Sequence, residues 1–341
     1  MPIDFQYSKK AVNRAGVSLL DPNLDNLDEH KKILDNWRAC HIAPLNSFQT
    51  SLRYQLKKLD NEAALVSQRL KRYPSILSKL ERNPGMQLSR MQDIGGIRAV
   101  VKNMKEVRQL ESVYKNGTKV FSKVHGGKDY INYPKDSGYR SVHMIFKCKN
   151  GFSIELQIRT TIQHAWATAV ETMGTFLDHS LKSSEGPDEW LKFFSLASSA
   201  FAILESTPRV KAHDRYSAKE VFEMLDRKEK ELDVISKLTG FRVVAKHIDN
   251  DKRKGHYHLI VLDLDKRYAK IRSFNQSEID EASDQYSEIE KSIQTGKNLQ
   301  VVLVTSQSLK ALKKAYPSYF LDAELFIKQI QAVRRRLKTM K

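Results

Sequence analysis

An α/β (α+β) fold in two domains is predicted by three features of the sequence. The chain has 341 residues, more than one domain of about 150 residues usually holds. Between residues 91 and 160, short segments rich in β-branched and apolar side chains replace a long stretch of helical periodicity. After Ser206-Thr207-Pro208 a helical segment and a second group of strand-like segments begin again, so this tripeptide reads as a domain boundary.

Each element has its own local reason. Residues 25–82 read as helical, with Phe48, Leu52, Leu56 and Leu59 at helical spacing. Pro74 opens a new turn, Ser75–Arg82 continues as helix, and Asn83-Pro84-Gly85 breaks it. Ile97–Val101, Lys119–Val124, Val142–Cys148 and Phe152–Arg159 read as strands, with a helix at Glu106–Tyr114. Asn150-Gly151 is a strong hairpin signal between the last two strands. From Thr160 the period is helical again. Ile162, Trp166, Ala169, Val170, Met173 and Phe176 form one apolar stripe. Ser183 to Pro187 interrupts, and Asp188–Glu205 is a further helix. Ser217-x-x-Glu220 is a capping box before the next helix. Phe241–Ile248, His256–Leu264, Ala269–Phe274 and Leu299–Thr305 read as strands, and Ser277–Ile293 and Leu325–Leu337 as helices. Together they make a second, smaller α/β domain.

The 58 Lys and Arg against 40 Asp and Glu give a formal net charge of +18. Residues 211–341 carry 27 basic and 19 acidic side chains, so the excess is shared by both parts of the chain. A basic surface suits polyanions such as nucleic acid, nucleotides or acidic lipid. No apolar run approaches a membrane span of about 18 residues, and the N-terminus lacks a secretory pattern. Cys40 and Cys148 form neither a disulfide framework nor a zinc spacing, which points to the cytoplasm.

Ile154-Glu155-Leu156-Gln157-Ile158-Arg159 alternates strictly. As a strand it places three apolar residues on one face and an anion, an amide and a cation on the other. That polar face is either an ordinary solvent-facing surface or one wall of a cleft. His164, Thr168 and Glu171 lie along the next helix opposite its apolar stripe. Asp93, before Gly95-Gly96-Ile97-Arg98, either caps a turn or joins Glu155 in a two-carboxylate Mg²⁺ site. Gly126-Gly127-Lys128 lacks the spacing of a P-loop. The segment from Lys128 to Ser141 reads as a loop with three tyrosines among cations, which suits nucleotide recognition.

Four ordered blocks over roughly residues 65–180 resemble the synthetase domain of the RelA/SpoT family. They are Arg69-Leu70-Lys71 with Ser75-Ile76 and Lys79; Asp93 to Arg98; Lys128-Asp129-Tyr130-Ile131 through Pro134-Lys135 to Gly138-Tyr139-Arg140-Ser141-Val142-His143; and Glu155-x-Gln157-Ile158-Arg159-Thr160 with Gln163-His164-Ala165-Trp166-Ala167. The resemblance implies a mixed, nucleotidyltransferase-like β-sheet flanked by helices. It implies transfer of the β,γ-pyrophosphate of ATP to a ribose 3′-hydroxyl. Asp93 and Glu155 would hold Mg²⁺, Glu155 would help deprotonate the acceptor, and Arg98 would act beside them. Arg69, Lys71, Ser75, Lys79 and Arg98 would bind ATP, and Tyr139 would stack on the acceptor base. Lys128, Gln157, Arg159 and His164 would complete the cleft. No metal-type His…His-Asp pattern precedes residue 65, so hydrolysis of the product is not expected.

Tyr316-Pro317-Ser318-Tyr319-Phe320-Leu321-Asp322 resembles the Tyr-x-x-Tyr-Phe-x-Asp motif of the pseudo-zinc-finger domain in CapRel-like fused toxin–antitoxins, as do Trp37-Arg38 and His41 to Pro44-Leu45. This resemblance implies an autoinhibited toxin that pyrophosphorylates the 3′ end of tRNA. Tyr316 and Tyr319 would be the brake, and a phage protein such as a capsid protein the trigger. The expected parts are a helical region at 1–64, the synthetase at 65–207 and the regulatory domain at 208–341. Glu171-Thr172 stands where many small alarmone synthetases carry Glu-His, which separates tRNA from GDP or GTP, the alternative acceptors. The basic run Arg334-Arg335-Arg336-Leu337-Lys338 either complements its helix dipole or grips the tRNA backbone.

Overall fold

The computed structural model describes residues 5–21, 27–62, 64–117, 124–148, 151–177, 181, 185–244, 248–250, 257–263, 265–266, 268–294, 299–305 and 323–340. Tyr316, Tyr319 and Asn150 lie outside the described residues. Helices α1 (Lys9–Ser18), α2 (Leu27–Ala39) and α3 (Ile42–Lys58) lead into strand β1 (Leu65–Leu70) and helix α4 (Tyr73–Glu81). Then come β2 (Gly95–Val101), α5 (Met104–Lys115), β3 (Val124–Asp129), β4 (Val142–Lys147), β5 (Ser153–Thr160), α6 (Thr161–Leu177) and α7 (Asp188–Leu204). The remainder is α8 (Ala218–Leu232), α9 (Val234–Val244), β6 (Ile248–Asn250), β7 (Tyr257–Asp263), β8 (Tyr268–Phe274), α10 (Ile279–Gln294), β9 (Leu299–Thr305) and α11 (Glu324–Lys338).

The strands form one mixed sheet, ordered β3-β4-β5-β2-β1-β9-β7-β8-β6 among the described residues. β2 runs parallel to β5, and β4 is antiparallel to β5 across the expected hairpin. β1 is antiparallel to both β2 and β9, so the sheet continues across residue 208. One face of the central strands is apolar. Ile97, Ala99, Ile154, Leu156 and Ile158 pack there against Phe48 and Leu52 of α3 and Val107 and Leu110 of α5. This burial makes the alternation of β5 legible as a half-buried strand.

Three expectations are corrected. Residues 65–70, within the stretch read as helical, form β1. Asp60, with a left-handed φ of 51°, follows the end of α3, and β2 pairs with β1 from Leu65↔Val100 to Leu70↔Gly95. The strand expected at Phe241–Ile248 is helix as far as Val244, where α9 ends, and strand at Ile248, where β6 begins; residues 245–247 lie outside the described residues. Val234 and Leu238, four residues apart, are buried in the cluster that includes Phe222 and Leu225 of α8, and this packing overrides the β preference of Val243-Val244. Lys119–Lys123 of the next expected strand lie outside the described residues, and the segment from Lys128 to Ser141, read as a loop, begins in a strand, because β3 runs from Val124 through Gly126-Gly127 to Asp129. Glycine is needed there: Gly127 has a φ of +150°, and a Cβ on it would lie 2.1 Å from the His143 carbonyl oxygen.

A second core lies off the sheet and draws on both parts of the chain. Trp166 and Met173 of α6 and Phe193, Phe194 and Phe201 of α7 share it with Phe222 of α8 and Phe326 and Ile330 of α11. The capping box of α8 forms as expected: the Ser217 hydroxyl accepts from the Glu220 N–H at 3.2 Å, and the Glu220 carboxylate accepts from the Ser217 N–H at 2.7 Å. Phe326 touches the rings of Phe193, Phe194 and Phe201 at 6.2, 5.9 and 5.4 Å between centroids. Truncating Phe326 to Ala is expected to lower the unfolding free energy by about 3–5 kcal/mol, read from urea denaturation. A loss under about 1 kcal/mol would contradict the shared core.

Candidate active site

The sheet register builds a polar surface opposite the apolar face. Parallel pairing sets Gly96 beside Glu155 and Arg98 beside Gln157. Antiparallel pairing adds Arg69 beside Gly96, and on the other side His143 beside Gln157 and Lys128 beside His143. Residues opposite each other in a ladder share a face, so side chains from β1, β2, β5, β4 and β3 converge there. Gly96 leaves a gap in this row: a Cβ on it would meet nothing nearer than the Arg69 carbonyl oxygen at 3.9 Å. The polar face of β5 is not an open solvent surface, because Glu155 is only 12% exposed and Arg159 is buried.

Asp93 sits just before β2, and its two oxygens are held by two cations. Lys71, just past β1, approaches Oδ2 at 3.0 Å, and Lys79 of α4 approaches Oδ1 at 2.8 Å. Burial alone would raise the Asp93 pKa, but the two ammonium groups outweigh it and hold the carboxyl below the usual range. Glu155 follows the same logic with different partners. Burial opposes its charge, yet His143 at 2.8 Å and Gln157 at 2.6 Å bring its pKa down, while the charge of Asp93 pushes it up. Each carboxylate is therefore an anion at neutral pH with one donor on each oxygen.

His143 is the residue that sequence reasoning left out of the site. Its Nδ1 faces Glu155 Oε1, and its Nε2 lies 2.8 Å from the Tyr139 hydroxyl. With the proton on Nδ1, the histidine donates to the carboxylate and accepts from the tyrosine, so Tyr139, His143, Glu155 and Gln157 form one chain of hydrogen bonds. A signal was present: the hairpin pairing of β4 with β5 places His143 on the face of Gln157.

Tyr139, expected to offer a ring to a base, is buried. It packs edge-on against Tyr130 and His143, and the Lys135 ammonium lies 5.5 Å from its ring centroid. Burial pushes its hydroxyl pKa up to about 12, so it stays protonated. At the other end of the row, Arg159 and Arg98 lie 2.5 and 3.5 Å from Nδ1 of His164. Burial and the charge of Arg98 lower the Arg159 pKa, and its Nε has no acceptor among the described residues. Two guanidinium groups this close favour an anion between them. Ser75 lies half-buried in the first turn of α4, and Lys128 is exposed on β3. The cleft thus brings together Arg69, Lys71, Lys79, Asp93, Arg98, Glu155, Gln157, Arg159 and His164, with Ser75 and Lys128 at its margins. Among the described residues, no group of three or more His, Cys, Asp or Glu could hold a metal on protein ligands alone.

Parts of the chain are similar to known proteins. The chain is 27% identical over 188 residues to an uncharacterized protein of Mycobacterium tuberculosis, covering 54% of this chain and 64% of that one. It is 32% identical over 165 residues to a probable chloroplastic GTP diphosphokinase of Arabidopsis thaliana, covering 46% of this chain and 23% of that one. The solved small alarmone synthetase 2 of Bacillus subtilis superposes with a TM-score of 0.44 at 22% identity, over 51% of this chain and 94% of that one. Residues 68–175, which span β1 to α6 and every cleft residue named above, match the region found in RelA/SpoT proteins; the chain carries a RelA/SpoT-type synthetase domain.

Proposed function

We propose that this chain is an ATP-dependent pyrophosphokinase that moves the β,γ-pyrophosphate of ATP to a ribose 3′-hydroxyl. The observation that carries the reading is the single cleft in which Asp93 lies between Lys71 and Lys79, near Glu155 and the Arg98–Arg159 pair. Cations outnumber carboxylates there, which suits a polyphosphate. Lys71, Lys79, Arg69, Arg98 and Arg159 hold the phosphate oxygens, and the N-terminus of α4 with Ser75 adds backbone donors. The acceptor oxygen attacks the β-phosphorus as the bond from that phosphorus to the α-phosphate oxygen breaks, and AMP leaves. Such a transfer depends on alignment and charge neutralisation more than on covalent help.

Mg²⁺ fits the donor set. Asp93 and Glu155 offer hard oxygens that keep a lone pair beside each present donor, and Mg²⁺ takes one or two carboxylates together with phosphate and water oxygens. When bound, it supplies neutralisation of charge on the phosphate oxygens. Glu155, held in its anionic form, accepts a hydrogen bond from the acceptor hydroxyl. His143 and Tyr139 fix the orientation of that carboxylate.

For the acceptor we favour the 3′ end of tRNA, with the part of the chain beyond residue 207 as a brake released by a phage protein. This is supported by the net charge of +18, by the exposed Arg335, Arg336 and Lys338 on α11, and by the resemblance around Tyr316 and Tyr319. Arg334 is instead paired with Asp226 and Glu229 of α8. GDP or GTP is the second reading, favoured by the name of the Arabidopsis relative.

The test uses ATP labelled in the γ-phosphate, offered with bulk tRNA, GDP or GTP to the wild-type chain and to Tyr316→Ala. Label on tRNA, stronger for Tyr316→Ala, is expected. Label on GDP or GTP alone moves the assignment to the second reading, and label on none of the three sinks the activity. In whichever form is active, Glu155→Gln is expected to reduce turnover by at least about 100-fold while the fold persists. Tyr139→Phe keeps the ring but frees His143, and is expected to lower kcat with little change in the KM for ATP; an unchanged kcat removes the hydroxyl from the mechanism. The acid limb assigned to Glu155 is expected below its ordinary value of 4.5. The sign follows from a depressed folded pKa: the anion and its stabilising contacts persist above that pKa and are lost as pH falls through it. A Glu155-dependent limb near neutral pH would contradict the hydrogen-bonded anion.

A further inference from the structure

A buried ion pair outside the cleft joins segments 252 residues apart. Arg38 of α2 and Glu290 of α10 are 3% and 6% exposed and meet at 3.0 Å. Arg38 also donates through Nη2 to the Tyr286 hydroxyl at 2.9 Å and through Nη1 to Asp35 at 3.1 Å. The Tyr286 hydroxyl in turn donates to Glu290.

The remaining bonds of this pair fall on the turn between β1 and α4. Arg38 Nε donates to the backbone carbonyl of Lys71 at 3.1 Å, and Glu290 Oε1 accepts the backbone N–H of Tyr73 at 3.1 Å. That turn carries Lys71 and launches the helix that carries Lys79, the two cations on Asp93. β9 grips the strand just before it, pairing Val304 with Arg69. A buried ion pair is a poor device for stability, since an apolar pair of the same volume would avoid its desolvation. Its use here is geometric: charged side chains from the two ends of the chain fix two backbone groups of one short turn.

We propose that Glu290, acting through Arg38 and the Tyr73 N–H, is a positioning residue for the ATP phosphates. It rests on the reading of the cleft as an ATP site. The part of the chain beyond residue 207 then does more than restrain the enzyme, because it also holds the turn that receives the donor nucleotide.

The full-length chain is tested in wild-type and Tyr316→Ala backgrounds, with Glu290→Gln, Tyr286→Phe and the apolar pair Arg38→Met/Glu290→Met. Affinity is measured for a non-hydrolysable ATP analogue with Mg²⁺. Amide exchange is followed over residues 71–80, with residues 142–160 as the internal reference. Glu290→Gln is expected to speed exchange at 71–80 alone and to weaken analogue binding about tenfold, and Tyr286→Phe to do the same about threefold. The apolar pair is expected to restore the melting temperature but not the affinity. Unchanged exchange, unchanged affinity, or recovery of affinity by the apolar pair overturns the positioning role. If Glu290→Gln does not fold, Tyr286→Phe carries the same decision. If neither background binds the analogue, the ATP reading of the cleft fails instead, and positioning of ATP fails with it; the exchange result still decides whether Glu290 grips the turn.

Discussion

The parallel register of β2 on β5 is the constraint from which the cleft follows. It sets Gly96 against Glu155 and Arg98 against Gln157. A slip of one residue would turn Ile97 and Leu156 into the cleft and the charged groups into the apolar core. That core resists the slip: Ile154, Leu156, Ile158, Ile97 and Ala99 are almost wholly buried, each large side chain worth about 1.5–3 kcal/mol relative to exposure. The hydrophobic face therefore fixes the position of the polar one. Gly96 contributes by having no side chain, leaving space beside Glu155.

Charge balance is the second constraint. Asp93 and Glu155 both lose hydration on folding, and they repel one another. Asp93 recovers through two ammonium groups, a strong but labile arrangement because a phosphate can compete for both cations. Glu155 recovers through an imidazole and an amide, weaker donors that leave more of its negative charge for an incoming hydroxyl or cation. Two carboxylates of similar burial thus take different roles from the identity of their neighbours. The Arg98–Arg159 pair is the reverse case: each cation opposes the other's charge, and Glu171 offsets part of that at Arg159.

Much of this was legible in the sequence because it is local. The alternation of residues 154–159 needs only the period of a strand, and Asn150-Gly151 needs only the preference of a hairpin. Ser217-x-x-Glu220 is self-contained, and its capping box forms as read. What was missed depends on distant partners. β1 carries Gln68 and Arg69 within a weak apolar pattern, and its strand character comes from β2 and β9 on either side. α9 contains Val243-Val244, and only the packing of Val234 and Leu238 makes it a helix. Lys128-Asp129 read as the start of a loop, whereas both end β3, and at Gly127 the missing side chain permits the close approach of β4. His143 was within reach through the hairpin register, but Arg38 and Glu290 were not, since nothing local marks a pair 252 residues apart.

The order of the sheet gives the two parts of the chain a common fate. β1 has β2 on one edge and β9 on the other, so the strand that leads to Lys71 is shared between the synthetase domain and the residues beyond 207. The second core repeats the pattern, with α6 and α7 covered by α8 and α11. A displacement of β9 or α10 would expose the edge of β1 and release the Lys71–Tyr73 turn. The cost falls first on the Lys71 and Lys79 side of the cleft, while the Glu155–His143 chain, rooted in β4 and β5, stays in place. On the proposed reading of the cleft, regulation exerted through the later part of the chain would therefore act on donor binding rather than on Glu155.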